Sequence, residues 1–62
     1  MDALDLLVKQ MDDKVAQLTE HLAGGNVTSY EEYKKLCGEI RGLLTARGYT
    51  LDLKSNLENS DE

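Results

Sequence analysis

Between Met1 and Leu22 the residues Met1, Leu4, Val8, Met11, Val15, Leu18 and Leu22 recur at alternating intervals of three and four. A helix turns once in about 3.6 residues, so this alternation draws one narrow apolar seam along a helix. Such a seam is closed by another helix and does not wall an enzyme pocket. Val8 and Val15, with Met1 and Leu22 at the ends, take the a positions of a heptad; Leu4, Met11 and Leu18 take d. β-Branched residues at a with leucine at d suit a two-stranded parallel coil. Leu7, at a g position, widens the stripe and favours a bundle over a strict zipper.

The punctuation around the seam predicts a hairpin. Asp2 and Asp5 suit the positive end of a helix dipole, and a first helix is expected from about Asp2 to Ala23. Gly24-Gly25 ends it with left-handed backbone at little cost, and residues 24–29 form the turn. Ser29 with Glu32 makes a capping box, with Thr28 and Glu31 an overlapping alternative. A second helix therefore starts near Tyr30, and the short loop makes the two helices antiparallel.

Along this second helix Tyr30, Tyr33, Leu36, Cys37, Ile40, Leu43 and Leu44 fall within an arc of about 140°, and Arg47 and Leu51 fall in the same arc. Two endings follow. Gly48 caps the helix near Arg47 and Tyr49 packs back on it; or the helix passes through Gly48 at a cost of about 1 kcal/mol and runs to about Leu57. Leu51 keeps the phase and favours the second. The polar, acidic end from Asn56 to Glu62 is expected to fray. The fold class is all-α: one domain over residues 1–62, an antiparallel two-helix hairpin.

A chain of 62 residues buries a modest share of its surface and commonly needs a disulfide, a metal or a partner. Cys37 is the only cysteine, which rules out an intrachain disulfide. No Cys/His cluster offers a zinc site, and no cofactor is expected. Oligomerisation is the remaining staple. The expected self-association seam joins Leu4, Val8, Met11, Val15, Leu18 and Leu22 to Leu36, Ile40, Leu43 and Leu44, completing a homo-oligomeric helical bundle, a dimer in the favoured case.

The formal net charge is −5, from twelve acidic and seven basic residues. That disfavours nucleic-acid binding, which needs clustered Lys and Arg; here Lys34-Lys35 is the sole adjacent basic pair. The acidic balance serves solubility. No run of eighteen apolar residues exists, so no membrane span is expected. The first residues are acidic where a signal peptide would be basic, and a lone thiol suits a reducing cytosol.

Gly38, Gly42 and Ala46 form a second line, spaced by four, about 130–170° from the centre of the aliphatic face. Small residues at this spacing let another backbone approach closely, and Tyr49 completes the surface if the helix continues. The alternative is a tolerated pair of glycines, or a kink that bends the helix around its neighbour. Cys37, at the edge of the aliphatic face, reads as a small core residue. In an antiparallel hairpin His21 lies near the Tyr30 end of the second helix and not near that thiol, and one histidine makes no metal site. Tyr30 and Tyr33 suit the end of a bundle, rings buried and hydroxyls wet. Gly24-Gly25 lacks the Lys and Ser/Thr of a phosphate loop. With no nucleophile–base pair, metal set or paired carboxylates, and too little volume for a pocket of about 300 Å³, no enzyme is expected.

The stretch Tyr30-Glu31-Glu32-Tyr33-Lys34-Lys35-Leu36-Cys37-Gly38-Glu39-Ile40-Arg41-Gly42-Leu43 resembles a Tyr-x-x-Tyr-x-x-Leu-Cys-Gly-x-Ile-x-Gly-Leu block of small helical proteins of tailed bacteriophages. The likeness covers about residues 20–62; Arg47-Gly48-Tyr49-Thr50 departs from the more regular second helix of that group. The resemblance implies genes near those of portal, capsid and other particle proteins, and carries no settled activity. The expected function is a non-enzymatic protein–protein interaction module in head or tail assembly or as a minor virion component, in the host cytoplasm or the virion, bound to a larger phage or host protein. The alternative is a small acidic inhibitor that blocks a host protein such as a defence nuclease or a transcription factor. Mimicry of a DNA backbone would use Asp5, Asp12 and Asp13, although Lys9 and Lys14 interrupt that flank.

Overall fold

Two helices account for nearly all of the chain. The computed structural model describes residues 2–60; within them α1 spans Ala3–Ala23, α2 spans Tyr30–Asn59, and no strand occurs. Asp2 caps α1 by accepting a hydrogen bond from the Asp5 N–H at 2.8 Å. At the other end the Gly24 N–H still donates to the Glu20 carbonyl, and Gly25 turns the chain away at φ +77°. That left-handed backbone strains any residue with a Cβ. At Gly24 a Cβ would stand 3.1 Å from the Glu20 carbonyl oxygen, tighter than an ordinary contact.

Of the two capping alternatives, Ser29 with Glu32 is the one formed. The Ser29 hydroxyl accepts from the Glu32 N–H at 3.1 Å. The return bond of a capping box normally ends on the capping residue's own N–H; here the Glu32 carboxylate reaches one residue further back, to the N–H and hydroxyl of Thr28.

α2 passes through Gly48 without a break and ends at Asn59, with Ser60 as its cap. Asn56–Asn59 thus belong to the helix; the rest of the expected acidic tail, Asp61 and Glu62, lies outside the described residues, as does Met1 of the heptad.

The helices pack antiparallel, with Asp5 beside Lys54, Asp12 beside Arg47 and His21 beside Glu32. The hairpin measures 52 × 19 × 12 Å. Among the described residues its buried core is three side chains, Met11, Leu18 and Leu36, each 8% exposed. Leu4, Val8, Val15 and Leu22 are half-buried, so every described member of the α1 heptad is shielded by α2.

Candidate interaction surface

The line of α2 that meets α1 is Leu36, Ile40, Leu43, Arg47, Thr50 and Lys54, all buried or half-buried, spaced by four and three like its partner. Its first half is aliphatic and its second half is polar. Near the loop, leucine and isoleucine close the seam; towards the open end, ion pairs do. Arg47 Nε donates to Asp12 Oδ1 at 2.6 Å, and Lys54 donates to Asp5. The lysine's hydrogen bond holds the Asp5 carboxyl below its ordinary value, and the same contact raises Lys54. At the loop end Glu32 is likewise lowered, first by the Thr28 N–H and then by His21, whose Nε2 stands 3.5 Å away.

Because α2 spends polar residues on the hairpin seam, its aliphatic residues are left on the flanks. At 100° per residue, Tyr33, Cys37, Leu44 and Leu51 lie about 60–100° to one side of the seam. Leu51, which kept the phase in the sequence, is thus a flank residue; Arg47, Thr50 and Lys54 carry the seam past Gly48. Leu44 is half exposed, at 51%. Cys37, Ile40, Arg41, Leu44 and Thr45 line a shallow depression of about 470 Å³. It is larger than the volume expected of a hairpin, yet it lies on one face of one helix. The Cys37 thiol, half-buried and free, pushes the Tyr33 phenol up.

The opposite flank holds the small-residue line. Gly38 and Gly42 have nothing within 4 Å of a Cβ position, and Ala46 and Tyr49 are exposed beside them. Leu53 and Leu57, also exposed, prolong this side beyond Tyr49; their spacing of four with Tyr49 was the signal that would have placed them. Leu6 and Leu7 are exposed on α1. The tyrosine end differs from a buried cap: Tyr30 is exposed, its ring stacked on Tyr33 at 6.4 Å with Lys34 above it.

No protein-family model, curated protein or solved structure matches this chain. The surface chemistry therefore bears on function by itself. Among the described residues no group of His, Cys, Asp and Glu is arranged to hold a metal, and no helix is long and apolar enough to cross a membrane. His21 and Cys37 stand on different parts of the hairpin, His21 against Glu32 and Cys37 in the depression.

Proposed function

We propose that this chain is a non-enzymatic protein–protein interaction module, of the kind small phage proteins supply, which self-associates as a helical bundle and presents a further helix face to a larger phage or host protein. The observation that carries this reading is the mismatch between core and surface. Among the described residues three side chains are buried, while Leu6, Leu7, Leu44, Leu51, Leu53, Leu57 and all three tyrosines are exposed. The accessible surface is 4794 Å², against about 4,000 Å² for a compact monomer of this mass. A hairpin so thinly cored gains most from a second apolar surface.

In this reading the α1 heptad and Leu36, Ile40 and Leu43 build the hairpin, and the flanks of α2 provide the sites of association. The open line of Gly38, Gly42, Ala46 and Tyr49 is the surface offered to the larger partner, with the particle or the host cytoplasm as the place of action. The inhibitor reading loses support because two carboxylates it would use, Asp5 and Asp12, are engaged by Lys54 and Arg47.

Sedimentation equilibrium across a wide concentration range, with helicity followed in parallel, tests the proposal. A dimer or higher oligomer that loses helix on dilution supports it. A helical monomer at every concentration removes self-association.

A further inference from the structure

The outer edge of the Leu44 flank has an uneven distribution of charge. Lys34 and Arg41 stand on it in the first half of α2, and Asp52 stands on it in the second half. On the wheel all three fall within about 60° of Cys37. Neither Arg41 nor Asp52 enters an ion pair among the described residues, whereas the charges on the seam itself are matched across the hairpin. The edge is therefore basic towards the loop and acidic towards the open end, and it borders the partly exposed apolar strip of Tyr33, Leu44 and Leu51.

We propose that two copies of this chain pair through this flank of α2, antiparallel, about a two-fold axis level with Ala46 and Arg47, so that Arg41 of each copy faces Asp52 of the other. This rests on the self-association reading and names the face and the orientation. A parallel pairing, about a two-fold along the helices, would put the charged edges of the two copies on opposite sides of the contact and leave Arg41 and Asp52 without each other. The antiparallel pairing satisfies Arg41 and Asp52 twice, as an isologous interface requires, and brings Lys34 towards the acidic end.

It also fits the relief of the strip. Leu44 of one copy comes level with the turn from Gly48 to Leu51 in the other. Gly48 has nothing within 4 Å of a Cβ position, so the two backbones can approach near the axis.

Charge reversal in the full-length chain, read by sedimentation equilibrium, tests the orientation. Arg41→Asp and Asp52→Arg should each weaken the dimer about tenfold, since each change acts twice across the two-fold. The double variant should recover most of the loss. Leu44→Asp, at an exposed position, should keep the hairpin's helicity and abolish the dimer. Under oxidising conditions the wild-type chain should form no Cys37–Cys37 cross-link, because the two thiols would lie about 28 Å apart along the helices; a parallel pair would bring them together. A dimer that ignores Leu44→Asp, that is not rescued by the double reversal, or that cross-links readily through Cys37 overturns this face and orientation while leaving self-association standing. A wild-type chain that stays monomeric overturns both.

Discussion

Arg47 on α2 and Asp12 on α1, 35 residues apart in sequence, meet across the hairpin with 2.6 Å between Nε and Oδ1. Arg47 occupies a seam position that an aliphatic residue would fill in a simple bundle. The pair fixes the register of the open half, where Lys54 and Asp5 form a second link. Both pairs are partly exposed, so each is worth little alone. A double-mutant cycle on Asp12→Ala and Arg47→Ala, read by urea unfolding, should give a coupling energy of about 0.5–1 kcal/mol.

Acid should loosen the open end. Asp5 is held below its ordinary pKa by Lys54, and Glu32 by Thr28 and His21. A carboxyl lowered in the folded chain contributes stability that is present above its unfolded pKa and lost as pH falls through the folded value. Lys54 is raised by Asp5, so its contribution is complete below its unfolded pKa and lost as pH rises through the folded one. The Asp5–Lys54 link is thus fully in force between about pH 4 and pH 10. Amide protection at the start of α1 and the last turns of α2, corrected for the intrinsic exchange rate at each pH, should fall below that window.

The small core makes single truncations severe. Leu18→Ala removes most of a side chain that is 8% exposed, and should cost about 2–4 kcal/mol. In a hairpin with two other buried side chains that is enough to lose most helicity in circular dichroism. Leu6→Ala, at an exposed site on the same helix, should change stability by less than about 0.5 kcal/mol.

The glycines should divide by backbone conformation. Gly25 lies at φ +77°, and Gly25→Ala should destabilise by about 1 kcal/mol. Gly38→Ala and Gly42→Ala meet open space, and each should stabilise the helix by about 0.5–1 kcal/mol. Gly42→Leu should likewise spare folding; if the small-residue line engages a larger partner, this variant should lose that partner in a pull-down.

Cys37→Ala should cost about 1 kcal/mol or less, since the thiol is half-buried and small. Thermal unfolding of the variant checks this. A loss of partner binding with stability unchanged would instead assign the thiol a direct role.

The heptad of α1 determined its own buried face. Alternating intervals of three and four leave a helix one apolar side, and Leu4, Val8, Met11, Val15, Leu18 and Leu22 occupy it as the spacing demands. The turn was equally local: Gly25 supplies the left-handed residue, and Ser29 with Glu32 supplies the cap. The course of α2 past Gly48 was less legible, because Leu51 suggested the right continuation through a position that does not face α1. Only the tertiary structure decided which of the crowded apolar residues of α2 meet the first helix. Arg47 and Lys54, paired with Asp12 and Asp5, stand on the seam, and Leu44 and Leu51 are left on the flank. Periodicity ranks residues by their position around one helix; the match between charges on two helices sets how far each helix is turned.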